Sequence, residues 1–244
     1  MKRFILFLLL ILHIALADES LFKRGNEEYQ NGNYKKALDY YTQIIENGDA
    51  SPSLFFNMGN CYYKLNELGH AIQYYEKARQ LSPLDEDIKA NLHLANKEVI
   101  DHVELPDQMY IFDLYQEFVY SFSVNELLVI TLVFFIVIFA SHLAQRFSIG
   151  KTHTISSISR NASIVFFLLF AVLSYYRLAG LKTKQAILIT KQSEAYTAPD
   201  SENQAFLLHE GAKFTISREL NNRYEITLID GKTGWIRIED AGII

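Results

Sequence analysis

The sequence predicts a multidomain membrane protein that combines an all-α repeat module, a two-helix transmembrane hairpin and a small all-β barrel. Three patterns predict this fold class. Identical residues recur at a spacing of 34 positions in the N-terminal part of the chain, and such a period is typical of stacked helical repeats. Two long apolar runs follow, and short runs of β-type composition, separated by turn residues, occupy the C-terminal part.

The N-terminus, residues 1–17, has the pattern of a secretory signal peptide. Lys2 and Arg3 precede a short apolar stretch that ends in Ala-Leu-Ala at 15–17, and a basic start, an apolar centre and a small-x-small end are typical of such peptides. An uncleaved anchor helix is the alternative, although about 14 apolar residues are few for crossing the hydrocarbon. We therefore leave these residues outside the predicted fold.

The repeat module is predicted over residues 18–107. Seven identical pairs lie 34 positions apart: Phe22 and Phe56, Gly25 and Gly59, Asn26 and Asn60, Tyr29 and Tyr63, Ala37 and Ala71, Tyr40 and Tyr74, Tyr41 and Tyr75. The units 18–51 and 52–85 resemble the tetratricopeptide repeat, which implies two antiparallel helices in each, and a capping helix is predicted at 86–100. Two repeats are few for a stable array, so further structure or a partner should cover the open end.

The candidate partner-binding groove lies on the first helix of each unit. Its residues stand at i, i+4 and i+7 in both copies and form one stripe: Phe22, Asn26, Tyr29, Phe56, Asn60 and Tyr63. Resemblance to the repeat family implies that this stripe contacts an extended peptide or a partner helix, with the asparagines bonding to its backbone. The alternative is that the stripe packs against neighbouring helices of the same module.

Two apolar runs predict transmembrane helices at 124–145 and 161–181, since each is long enough to cross a bilayer. The connecting loop, 146–160, carries no acidic residue and three basic ones: Arg146, Lys151 and Arg160. The positive-inside rule places this loop in the cytoplasm, so both folded modules face the periplasm or the exterior of an inner (cytoplasmic) membrane. Residues 108–123 are predicted as an interfacial amphipathic helix or, alternatively, as the missing cap of the repeats.

A small barrel is predicted over residues 185–244. The predicted strands are 186–190, 194–197, 204–208, 213–219, 224–229 and 233–238. Tyr-Thr-Ala-Pro at 196–199, Leu-His-Glu-Gly at 208–211 and Asp-Gly-Lys-Thr-Gly-Trp-Ile at 230–236 resemble the bacterial SH3-like domain. That resemblance implies a core or rim position for Trp235 and, by analogy with related modules, a cell-wall or peptide ligand.

Charge and motif content predict a binding protein without a catalytic, cofactor or metal site. Residues 18–123 hold 18 acidic against 9 basic side chains, a net charge of −9, which argues against nucleic acid as a partner. The single cysteine, Cys61, excludes an internal disulfide and is predicted to be inert packing. The Gly-Lys-Thr sequences at 150–152 and 231–233 lack the earlier glycine of a phosphate-binding loop, and no histidine pair has metal-ligand spacing.

The order of signal peptide, tetratricopeptide repeats, paired spans and terminal SH3-like domain resembles the E-type member of the Bacteroides-aerotolerance (Bat) family. This resemblance implies an envelope protein that works beside von Willebrand A-type membrane proteins and a MoxR-type ATPase, in stress tolerance or the maturation of exported complexes. The sequence therefore favours a scaffold or adaptor for protein partners. The alternative is an envelope stress sensor or cell-wall-binding anchor that signals through the hairpin.

Overall fold

A computed structural model of the chain describes residues 19–101, 118, 119, 121–147, 151–180 and 184–244. The predicted signal peptide and most of the predicted interfacial helix lie outside the described residues. The chain divides into two units, of which one comprises Met1–Glu104 together with Lys184–Ile244 and the other comprises Leu105–Thr183. The first unit is therefore discontinuous in sequence.

Two helical pairs and a fifth helix form the N-terminal part of the first unit. The helices are α1 (19–30), α2 (Tyr34–Glu46), α3 (Pro52–Lys64), α4 (Leu68–Leu81) and α5 (Glu86–Asn96). The side chain of Ser51 accepts a hydrogen bond from the Leu54 N–H at the start of α3, and Asp85 caps the N–H groups of Asp87 and Ile88 at the start of α5. The predicted helical repeat module is confirmed.

Close contact within each helical pair explains the repeated glycine and tyrosine. A Cβ atom at Gly25 would lie 2.3 Å from the ring of Tyr41, and one at Gly59 would lie 2.5 Å from the ring of Tyr75. Both rings are buried at the centre of their pairs. Glycine and tyrosine thus recur at 34 residues because the helix backbone contacts the ring, and only glycine permits this contact without displacing the ring.

The second unit contains the paired helices α6 (Val124–Phe147) and α7 (Lys151–Gly180). The segments Val124–Phe147 and Thr152–Leu178 are long and apolar enough to cross a membrane, and few of their side chains are buried. The helices run antiparallel, and the ring of Phe134 stacks on Phe166 and Phe170 at centroid distances of 5.3 and 5.8 Å.

The start of α7 differs from the prediction of a loop over 146–160. Residues 151–160 are helical, because this segment contains neither glycine nor proline and its hydroxyl groups bond to α6. Ser156 Oγ donates to the carbonyl of Ser141, and Gln145 Nε2 donates to Ser157 Oγ. Polar composition suggested a loop, whereas contacts with the neighbouring helix hold the segment in a helix.

Residues 184–244 form an antiparallel sheet of seven strands. They are β1 (Gln185–Leu188), β2 (Gln192–Tyr196), β3 (Gln204–His209), β4 (Lys213–Leu220), β5 (Arg223–Leu228), β6 (Thr233–Arg237) and β7 (Ala241–Ile243), in the order β3-β2-β6-β5-β4-β1-β7. Six strands match the predicted runs, and β7 is additional, following a 3-10 turn. Within residues 184–244 the end strands β3 and β7 do not pair, so the structure shows a sheet where a closed barrel was predicted.

The core of the sheet is apolar, and the single tryptophan is buried on the inner strand β6. Leu188, Phe214, Ile226 and Ile236 are buried together. Trp235 is 4 % exposed, and the Arg218 guanidinium lies 5.1 Å from the centre of its ring. The tryptophan therefore occupies the core or rim position that the sequence indicated, covered by a cation.

The sheet packs directly on α4 within the first unit. A Cβ atom at Gly69 would lie 2.3 Å from the carbonyl oxygen of Leu188, so helix and strand backbones touch there. Gln73 Nε2 donates to the Ile243 carbonyl at 3.0 Å, and Ile187 joins the apolar cluster of Ile72 and its neighbours. The repeat array is thus covered by α5, which lies within the predicted capping segment 86–100, and by the sheet, whose contact with α4 the sequence did not reveal.

Candidate protein-binding groove

Each asparagine of the predicted stripe holds two other side chains of the repeat module. Asn26 Oδ1 accepts hydrogen bonds from Tyr41 OH at 2.7 Å and from Asn57 Nδ2 at 2.9 Å. The same arrangement recurs 34 residues later, where Asn60 Oδ1 accepts from the hydroxyl of Tyr75 and from the amide of Asn91, both at 2.8 Å. Each Asn-Tyr-Asn cluster therefore ties together three successive helices.

In the described part of the chain, the amide oxygen of each asparagine is bonded within the module, whereas the amide nitrogen is not. The Oδ1 atom of Asn26 or Asn60 already receives two donors, which is the capacity of a carbonyl oxygen. No acceptor among the described residues bonds to Nδ2 of either asparagine. The oxygen therefore belongs to the packing of the module, and the N–H₂ group remains available to a ligand. Packing within the module, one of the two alternatives left open by the sequence, therefore applies to the oxygen, while partner binding by the N–H₂ group stays a prediction.

Burial keeps the tyrosines of these clusters as donors. Both hydroxyls lie among packed helices, and burial is the largest cause that raises the pKa of Tyr41 and of Tyr75 well above the ordinary value. The hydroxyl groups consequently stay protonated at any physiological pH. The geometry of the two asparagines is fixed over the same range.

The aromatic residues of the stripe are split between packing and groove. Phe22 lies 5.9 Å from Tyr41, and Phe56 lies 5.9 Å from Tyr75, measured between ring centres. Both phenylalanines pack against the hydrophobic clusters of the helical pairs. The Tyr63 hydroxyl, by contrast, donates to a carboxylate oxygen of Glu98 beyond α5.

Three of the six predicted residues line one concave groove of about 260 Å³. The lining consists of Tyr29, Asn60, Tyr63, Lys64, Tyr75, Asn91 and Leu94. Phe22 lies at a separate pocket beside Ser51 and Ile44, so the structure does not place all six residues in one site. The sequence missed Asn91 and Leu94 as groove residues, although Asn91 follows Asn57 at the repeat period.

The described part of the chain contains neither a cluster of metal-ligating side chains nor a reactive thiol. Among residues 19–101 and the other described ranges, no group of three or more His, Cys, Asp or Glu side chains could hold a metal ion. Cys61 is fully buried, and burial raises the pKa of its thiol to about 12. That thiol is a packing group on α3 of the second repeat, where it faces the hydrophobic cluster of the first repeat.

Comparison with known proteins identifies the repeat. Residues 52–84 match the tetratricopeptide repeat family. An 86-residue stretch of this chain is 31 % identical to serine/threonine-protein phosphatase T of Aspergillus oryzae. The aligned stretch covers 35 % of this chain and 18 % of that relative. The chain thus spans less than a fifth of the relative's length. The tetratricopeptide repeat is generally a non-enzymatic interaction module, so the matched segment indicates a role in protein–protein interaction.

Proposed function

We propose that this protein is a membrane-anchored adaptor whose groove binds an extended segment of a partner protein. The observation that carries the proposal is the pair of identical Asn-Tyr-Asn clusters, which leave one amide N–H₂ group unbonded in each repeat. Two equivalent donors in successive repeats suit the regularly spaced carbonyl groups of an extended peptide. Tyr29, Tyr63 and Leu94 supply contact area beside them.

The structure allows a sharper test than removal of the asparagine side chains. Replacing Asn26 and Asn60 by alanine would also remove the oxygens that hold Tyr41 and Tyr75. The double variant Asn26→Asp/Asn60→Asp keeps an acceptor for both internal donors and replaces only the free N–H₂ group. Asn31→Asp is the matched control, since it makes the same chemical change at an exposed position.

Partner recovery by the full-length protein from detergent-solubilised membranes would be quantified for the parent and these variants. We expect the double variant to lose the proteins that the parent enriches, with an unfolding midpoint close to that of the parent, whereas Asn31→Asp keeps them. Equal recovery by the parent and a folded double variant would reject the groove as the binding face.

We further propose that α6 and α7 cross the membrane as a hairpin and that both folded parts lie on its extracytoplasmic side. The support is the discontinuous first unit, because α4 and the sheet can touch only if the chain returns to the side from which it left. Protease added to spheroplasts should then cleave both the repeats and the sheet. Protection of either one would contradict this topology.

The resemblance to the Bat family suggests the setting of this adaptor. In that setting the adaptor works alongside von Willebrand A-type membrane proteins and a MoxR-type ATPase, in aerotolerance or envelope stress tolerance. A cell-wall or peptide ligand of the sheet stays a prediction. The alternative of a stress sensor leaves little room for a cytoplasmic output, since residues 151–160 form the first turns of α7.

A further inference from the structure

One arginine in the hairpin is held by neutral groups only. Arg160 Nη1 donates to Gln145 Oε1 at 2.7 Å, while Nε and Nη2 donate to Asn161 Oδ1 at 3.4 and 3.3 Å. No carboxylate among the described residues bonds to this guanidinium. Of its five N–H donors, one on each Nη atom is left over. The guanidinium is thus fixed in place with its charge uncompensated.

The position of Arg160 along the hairpin is defined by contacts between the two helices. The hydroxyls of Thr131 and Ser174 lie 3.3 Å apart, and those of Ser141 and Ser159 also lie 3.3 Å apart. Between these contacts, residues 132–140 and 164–173 carry only apolar side chains. Arg160 lies just outside this apolar zone, at the end where α6 stops and α7 starts. About 26 Å of helix, 17 residues at 1.5 Å each, separates Arg160 from Arg177 near the other end of α7, so in the proposed hairpin both arginines lie near the boundaries between hydrocarbon and headgroups.

Charge at this end of the hairpin is of one sign. Residues 145–160 contain three basic side chains and no acidic one. Arg146 follows Gln145 directly, is exposed and has no ion-pair partner among the described residues. In the described part of the second unit the one acidic residue is Glu126, which lies at the opposite end of α6 and accepts from the Ser123 N–H.

We propose that Arg160 and Arg146, at the end of the hairpin where α6 stops and α7 starts, bind the phosphate group of an anionic phospholipid. The two remaining N–H groups of Arg160 contact two phosphate oxygens, and Arg146 adds a second positive charge. Gln145 and Asn161 position the guanidinium, which lowers the entropy lost on binding. This inference rests on the proposed insertion of the hairpin in a membrane.

The test uses full-length protein in nanodiscs of phosphatidylcholine mixed with phosphatidylglycerol. Native mass spectrometry would measure the ratio of phosphatidylglycerol to phosphatidylcholine that stays bound to the released protein. We expect Arg160→Gln to lower this preference about fivefold, the factor that corresponds to about 1 kcal/mol for one basic residue near an anionic surface. Arg160→Lys, which keeps the charge without the fork of N–H groups, should recover only part of the preference.

Arg177→Gln is the matched control, because it removes the same charge from the other end of α7. Equal losses in Arg160→Gln and Arg177→Gln would overturn the site, since they would reflect net charge alone. Displacement of bound phosphatidylglycerol by excess inorganic phosphate would overturn the lipid as its ligand. Incorporation of the parent protein into nanodiscs of pure phosphatidylcholine is measured in a separate experiment. Failure there contradicts the membrane proposal, while normal incorporation without a preference for phosphatidylglycerol contradicts the lipid site alone.

Discussion

The contact between α4 and the sheet can be broken by adding one methyl group. In Gly69→Ala the new Cβ would lie 2.3 Å from the Leu188 carbonyl oxygen and 2.7 Å from Ile189 Cα. Both are backbone atoms, so no side-chain rotation relieves the overlap. Overpacking of this kind costs about 1–3 kcal/mol. Alanine at the same time favours the helix itself, by less than the value of about 0.5–1 kcal/mol for a mid-helix position, because Gly69 lies in the first turn of α4, so the substitution should not destabilise α4 while it weakens the docking of the sheet.

Hydrogen exchange of the full-length protein in nanodiscs separates these two effects. We expect the amides of β1 and β7 to open about 5 to 160 times more often in Gly69→Ala, the factor that corresponds to about 1–3 kcal/mol, while the amides within α4 keep their protection. Gly25→Ala is the contrast, because its Cβ would meet the Tyr41 ring at 2.3 Å inside the first repeat. That variant should open α1 and α2 and leave β1 and β7 unchanged. Unchanged exchange at β1 and β7 in Gly69→Ala would refute direct docking of the sheet on α4.

Three further outcomes follow from single groups. Glu76 is buried between Arg79 and Lys213. Burial acts to raise the pKa of its carboxyl group, but the two cations outweigh burial and the pKa is lowered. The ionised Glu76 therefore stabilises the fold above the ordinary carboxyl pKa, and this stabilisation is lost as pH falls through the lowered pKa. Thermal unfolding from pH 7 towards pH 3 should show this loss, and Glu76→Gln should flatten the profile. Iodoacetamide at pH 8 should leave Cys61 unmodified until the protein is denatured, because the pKa of the buried thiol is raised to about 12; rapid native labelling would contradict this. Tyr75→Phe removes one donor from Asn60 but keeps the ring, so the free energy of unfolding should fall by about 1 kcal/mol, and an unchanged denaturant midpoint would count against the cluster.

Local patterns predicted the elements of this fold because local physics determines them. The 34-residue period arises from the contact of Gly25 with Tyr41 and of Gly59 with Tyr75, which each repeat must satisfy within its own pair of helices. Runs of β-type residues and the turn residues between them predicted six strands, because these patterns also depend on neighbouring residues in the sequence. The short strand β7 was not predicted, because its three residues form a strand only through pairing with β1.

The contact between the two ends of the first unit could not be predicted in this way. Gly69, Gln73 and Glu76 lie on one side of α4 and bond to or touch residues more than 100 positions later in the chain. In the sequence they look like ordinary residues of a solvated helix face, because no periodicity links them to the strands. The roles of the asparagines were likewise hidden. A sequence shows that Asn60 recurs at the position of Asn26, but only geometry shows which end of its amide is already bonded.

The discontinuous first unit constrains the order in which the protein can fold. Residues after Lys184 complete the cover of α4, and they follow α6 and α7 in the chain. In the proposed topology the sheet reaches α4 only after both apolar helices have inserted and the chain has returned across the bilayer. Until then the apolar Ile72 surface and the carboxylate of Glu76 lack their partners Ile187 and Lys213. A repeat module that completes its own packing only after insertion of the hairpin would couple the formation of the groove to correct assembly in the membrane.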